Sequence, residues 1–273
     1  MTGILWLASY PKSGNTWLRA VLTAARSGAD VDLDALAGAA VAASRDVLED
    51  LLGVPTTDLT SAEIDRLRPG ADDVAAAAAR SEPLLRKIHD AFGAEPVISV
   101  AAAHAAVYLV RDPRDVAVSM AHHSGVSFEE AVRRLCVPHA TAPLHPARPG
   151  KQVRQYFGTW SEHVLGWVDQ RRFPVYVLRY EDALADPVPA FAPAVRLAGF
   201  DLTDEALAAA VRRADFAVLA DLESRSGFRE RPPHAERFFR RGRAGGWRDE
   251  LPAALAERIV DRHGEVMTRF GYL

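Results

Sequence analysis

The sequence holds one cysteine, Cys136, in 273 residues. A single thiol excludes an intrachain disulfide framework and a zinc site built on cysteines, so Cys136 reads as a small buried hydrophobe in a reducing, cytoplasmic setting. Long apolar runs are also missing. The opening MTGILWLAS has no basic leading segment, and its apolar stretch is too short for a signal peptide or a membrane span. Nor is there an excess of one charge: 33 Lys and Arg against 36 Asp and Glu give a net −3, which excludes a whole-molecule basic field for nucleic acid or an anionic membrane. Any anion site must then be local. With no internal repeat and no linker-like stretch, the length suits one sizeable core, a single domain over 1–273.

What is present is a loop. ASYPKSGNTW, residues 8–17, follows a short apolar run and precedes a segment with helical spacing at Trp17, Leu18, Val21 and Leu22. A strand, a tight turn and a helix gather backbone N–H groups and a helix N-terminus at one spot, which favours an anion. Pro11 stiffens the entry and Gly14 permits close approach, while Lys12, Ser13, Asn15 and Thr16 offer side-chain donors. A nucleoside-triphosphate loop of the G-x-x-x-x-G-K-[ST] type places lysine after its second glycine. Here that position is Asn15, and the lysine stands two residues before the glycine.

The same strand-then-helix order recurs. AAVYLV reads as a buried strand before Arg111, with a helix after RDPRD, and FPVYVLRY as a third strand before EDALADP. Alanine-rich segments at 33–52 and 61–79 read as helices, the second opening with a capping box in TSAE. A helix is expected over 153–170 with Tyr156, Trp160, Val164 and Trp167 on one face, and a long surface loop over 137–152. Alternating strands and helices predict a single α/β domain, a mostly parallel sheet flanked by helices with a P-loop-like phosphate-binding turn. Arg111 would sit at the carboxyl edge of that sheet, where ligands bind. FFRRGRAGGWR adds Arg240, Arg241, Arg243 and Arg248, guanidinium groups suited to phosphate.

These motifs resemble those of the cytosolic-type sulfotransferases, which use 3′-phosphoadenosine 5′-phosphosulfate (PAPS) and release 3′,5′-adenosine bisphosphate (PAP). Tyr10 to Trp17 match the family's YPKSGTTW loop, and the resemblance implies that Lys12, Ser13, Gly14, Asn15, Thr16 and Trp17 hold the 5′-phosphosulfate. Arg111 to Ser119 match R-[ND]-P-[KR]-D-V-A-V-S, implying contacts of Arg111 and Ser119 with the 3′-phosphate. Phe238, Arg240, Gly242, Gly245, Trp247 and Arg248 match a third motif, with Arg241 in its lysine place and Gly246 replacing its aspartate. Trp17, Tyr180 and Phe216 look like the adenine-contacting residues, and YEDALADP is also similar to a family segment. SYPKSGNTW and GTWSEHVLGW look more like bacterial natural-product sulfotransferases than animal detoxifying ones.

LLRKIHD resembles the family's K-T-H segment. Residues two apart on a strand face one way, so Lys87 and His89 share one site, with His89 as the base for the acceptor and Lys87 as a charge stabiliser. His122 and His123, in AHHSG, fit no motif. The expected catalytic set is therefore Lys12, Lys87, His89 and Ser119, with no metal and a small-molecule acceptor carrying a hydroxyl or amine. A P-loop kinase is disfavoured by Asn15, and a non-catalytic nucleotide binder by the intact Lys12, His89, Arg111 and Ser119. The family's C-terminal pairing segment has Pro252 and Ala253 at its centre here, which predicts a monomer or a weak homodimer.

Overall fold

β1 (Ile4–Ser9), β2 (Leu84–Ile88), β3 (Ala103–Val110) and β6 (Val175–Arg179) form one parallel sheet in the order β2-β1-β3-β6. A computed structural model describes residues 3–38, 41–142 and 150–273. The chain runs from β1 to its neighbour β2, then crosses back over β1 to β3. That reversal opens a crevice at the carboxyl ends of the strands.

Both sheet faces are covered, which is why the strands read as unbroken apolar runs. Ile4, Trp6 and Ala8 pack with Trp160, Val164, Trp167 and Ile259, from α6 (Trp160–Asp169) and α11 (Ala253–Arg269). Leu5 and Leu7 face the other way, onto Leu18, Val21, Phe191 and Leu207, from α1 (Asn15–Ser27), α8 (Pro187–Leu197) and α9 (Asp204–Arg213). Each leucine of this kind stabilises the fold by roughly 1.5–3 kcal/mol. No helix among the described residues is long and apolar enough to cross a membrane.

α3 (Ser61–Ala78) begins as TSAE predicts, with Thr60 and Glu63 capping each other. Two expectations are corrected. Segment 33–52 is not one helix: a 3-10 turn at Leu33–Ala35 is followed by Gly38 at φ 61°, a bridge from Val41 to Lys87, and only then α2 (Arg45–Leu52). Ala42 donates its N–H to the Lys87 carbonyl at 2.8 Å, so the chain here pairs with the edge of β2 instead of coiling. Segment 153–170 is likewise divided. Gln155–Tyr156 (β5) pairs with Thr141–Ala142 (β4), Gly158 turns at φ 63°, and α6 starts only after Thr159, held by a Thr159–Glu162 capping box. Tyr156 is thus exposed and off the aromatic stripe. The expected loop at 137–152 contains β4, and its residues 143–149 lie outside the described ones.

Candidate active site

One cavity of about 1300 Å³ opens at the carboxyl edge of the sheet. Lys12, Gly14, Asn15, Thr16, Trp17, Lys87, His89, Arg111, Ser119, Tyr180, Phe216, Arg240, Arg241 and Gly242 all line it. Segments far apart in the chain therefore meet in one place. Ser13, in the same loop, is fully buried and is not among the lining residues, with its hydroxyl unpartnered among the described residues. The chain has three lysines, at 12, 87 and 151, and all three line this cavity.

The loop after β1 is held in uncommon backbone conformations. Lys12 lies at φ 71° and Gly14 at φ 106°, and a side chain at Gly14 would start 2.7 Å from the Tyr180 ring. Gly14 is also the N-cap of α1, and no side chain caps that helix. Six other α-helices among the described residues, including α3 and α6, use a Thr, Ser or Asp side chain for this purpose. The uncapped N–H groups of α1 stay open to an anion. Asn15 differs from expectation: its amide donates back to the Leu7 carbonyl at 2.8 Å and to the Ser9 hydroxyl at 3.3 Å. It fixes the loop to β1.

Arg111, just after β3, donates to the carbonyls of Lys12 (3.3 Å) and Arg243 (3.0 Å), and its guanidinium lies 4.2 Å above the Tyr180 ring. Its Nε is buried and unpartnered among the described residues. Trp17 meets Tyr180 edge-on, with centroids 5.7 Å apart. Phe216 lies so close over Gly242 that a Cβ there would fall 2.2 Å from its ring. Arg240 pairs with Glu250, and Arg241 with Asp249 and Glu250. Asp115, in the first turn of the helix Pro113–Ser124 that follows β3, accepts from the N–H groups of Gly245 (2.7 Å) and Trp247 (2.9 Å). A Cβ at Gly246 would stand 3.3 Å from Arg243 Nε and 3.8 Å from that carboxylate.

His89 follows directly on β2, beside Lys87. Its Nδ1 lies 2.8 Å from the Ser9 carbonyl. A carbonyl only accepts, so Nδ1 carries the proton and Nε2 keeps a free lone pair. Burial and the nearby Lys87 push the imidazole down to about 3, so it is neutral at physiological pH. Lys12 is pushed down to about 7 by burial and then by Lys87, and Lys87 is lowered mainly by burial.

Several contributors escaped the sequence reading. His163, on α6, donates from Nε2 to the His89 carbonyl at 3.0 Å and accepts at Nδ1 from the Tyr108 hydroxyl at 2.8 Å. One helical turn on, Trp167 donates to the Asp90 carbonyl at 2.9 Å. GTWSEHVLGW thus clamps the backbone that carries His89, and the i, i+4 spacing of His163 and Trp167 was its visible sign. Glu230, in a stretch with no motif, bridges Arg19 and Lys87. Of the two histidines in AHHSG, His122 turns outward to Glu250, whereas His123 lines the cavity.

An anion cradle at α1 facing a neutral base at the end of β2 defines a class: a transferase of a nucleotide-borne anionic group. Residues 3–271 match the sulfotransferase domain family, and the chain belongs to it. Cytosolic sulfotransferase 17 of Arabidopsis thaliana is 27% identical over 292 residues, 98% of this chain and 75% of the relative. The flavonol 3-sulfotransferase of Flaveria bidentis is 26% identical, covering 93% of this chain and 78% of its own. Among solved structures, retinol dehydratase with androsterone and the inactive cofactor PAP shares the fold at a TM-score of 0.62 and 21% identity, over 96% of this chain and 80% of that one. Mouse sulfotransferase SULT7A1 with PAP matches at 0.62 and 18%, over 98% and 85%.

Proposed function

We propose that this protein transfers the sulfuryl group of PAPS to a hydroxyl, or an amine, of a small-molecule acceptor, with His89 as general base. PAPS supplies a sulfuryl group whose sulfur–oxygen bond to the 5′-phosphate breaks as the acceptor oxygen bonds to sulfur. The fit rests on groups that want an anion: the uncapped N-terminus of α1, the unpartnered Ser13 hydroxyl and Arg111 Nε, and Lys12, which has no ion-pair partner among the described residues. In this reading Ser13, Gly14, Asn15, Thr16 and Trp17 hold the 5′ end. Arg111, Ser119, Arg240, Arg241 and Gly242 hold the 3′-phosphate, and Trp17, Tyr180 and Phe216 flank the base. Lys12 and Lys87 offset the charge that grows on the leaving phosphate, and a base beside the acceptor takes its proton.

The observation that carries the proposal is the 2.8 Å contact of His89 Nδ1 with the Ser9 carbonyl, which assigns the proton to Nδ1 and leaves Nε2 free on a residue that lines the same cavity as Lys12 and Lys87. Bound anions would raise its affinity for a proton from the low value of the empty pocket. We further infer a cytoplasmic monomer or weak homodimer with neither nucleic acid nor membrane as partner, from the charge balance and the single cysteine. The test compares thermal shifts with PAP, with ATP plus magnesium, and with neither, alongside sulfate transfer by wild type and His89→Ala. Expected are selective stabilisation by PAP and a roughly 10²- to 10⁴-fold loss of transfer in His89→Ala, with PAP affinity kept within a few-fold. Selective stabilisation by ATP would support the kinase reading instead.

A further inference from the structure

We infer that Glu230 is the counter-ion that holds the Lys87 ammonium in place beside His89, a positioning residue for the transfer reaction. The inference rests on the sulfotransferase reading above. Its evidence is the geometry of one carboxylate shared by two cations. Oε1 lies 2.7 Å from Arg19 and Oε2 lies 3.1 Å from Lys87 Nζ. The Arg19 side chain is 1% exposed, and its Nε is tied to the Ala37 carbonyl at 3.0 Å. Arg19 thus fixes one oxygen of Glu230 from α1, which leaves the other aimed at β2.

A carboxylate at a site built for anions is otherwise unfavourable, because it repels them. It makes sense as the partner of a buried ammonium, which is costly without one. Lys87 is faced by Arg19, Arg229, Lys12, His89 and His123 as well as Glu230. Glu230 is the one anion in that set, and the two imidazoles are neutral at physiological pH. Burial alone would raise Glu230, but Lys87 and Arg19 hold it down to about 2, so it stays ionised as their counter-ion at neutral pH. An ammonium has three N–H donors. One meets Glu230, and two remain for reacting oxygens.

Three lysines in the whole chain make the test direct. Lysine side chains labelled with ¹³C at Cε give three signals, assigned with Lys12→Arg and Lys87→Arg. In Glu230→Gln the Lys87 signal should titrate at least about one pH unit lower than in wild type, with Lys151 unmoved. Glu230→Asp should give a smaller downward shift, and if Glu230→Gln does not fold, that shift alone decides. With PAPS and 4-nitrophenol as probe acceptor, kcat should fall about tenfold and KM for PAPS change less than threefold. An unmoved Lys87 titration would overturn the inference, even if the melting temperature dropped. Failure of the underlying sulfotransferase reading would look different: PAP would not bind, while the lysine shift would still be seen.

Discussion

Gly14→Ala tests how the anion cradle is built. The native φ of 106° lies outside the regions that L-residues occupy easily, which costs roughly 1–2 kcal/mol. The new Cβ would also meet the Tyr180 ring at 2.7 Å. That ring is buried, lies under the Arg111 guanidinium at 4.2 Å and meets Trp17 edge-on, so it can give way only into the cavity and at the expense of both contacts. Overpacking of this kind costs about 1–3 kcal/mol. Together the two effects destabilise by roughly 2–5 kcal/mol, and about 2–4 °C of melting temperature accompanies each. Gly28→Ala is the control: its φ is 64°, but nothing stands within 4 Å of a Cβ there, so it keeps the backbone cost and lacks the clash. Scanning calorimetry should place Gly14→Ala clearly below Gly28→Ala. Titration calorimetry should show PAP affinity lowered at least about tenfold in Gly14→Ala only, since about 1.4 kcal/mol suffices for that. Equal melting temperatures and unchanged PAP affinity in the two variants would refute the idea that Tyr180 braces the loop.

His163→Leu removes the donor to the His89 carbonyl and leaves the Tyr108 hydroxyl buried without its partner; we expect a loss of about 1–3 kcal/mol in stability and a lower kcat, with PAP affinity unchanged by calorimetry. Lys12 gives a pH signature. Folded, it releases its proton near 7, whereas an ordinary lysine keeps it to 10.5, so the unfolded chain binds more protons in that window. Stability of the ligand-free protein from this group therefore rises with pH through the window, while PAP, which selects the ammonium, binds more weakly as pH rises from about 6 to about 9. Lys12→Met should flatten that decline in a calorimetric pH series. For assembly, Pro252 caps α11 and Arg248 and Glu257 are exposed, so the segment lacks an apolar centre and an exposed charge pair contributes little. Light scattering should find no dimer that Glu257→Arg dissociates.

What the sequence made legible was local. The β1 strand, the glycine turn and α1 are contiguous, and their period change and punctuation announce them. The TSAE capping box works the same way: side chain and backbone partner lie three residues apart. Segment 153–170 shows how a local signal can be overrun. Thr159 and Glu162 form a capping box as plain as the first, yet the spacing of Tyr156, Trp160, Val164 and Trp167 drew the helix back across it. A two-residue strand such as β5 has no period to detect, and its identity depends on Thr141 and Ala142 across the turn. Asn15 illustrates a second limit. Its place in the loop predicted a ligand donor, but its amide donates to the Leu7 carbonyl at 2.8 Å and to the Ser9 hydroxyl at 3.3 Å. The fold therefore used the amide first. The site's charge balance lies furthest beyond local reading. Lys87 and Glu230 are 143 residues apart, and neither segment's pattern implies the other. A lysine on a strand reads as a candidate cation, but its state is set by which carboxylate the folded chain returns to it. That partner came from 227–237, a stretch that carries no motif, and Glu230 meets Arg19 and Lys87 only in the folded chain.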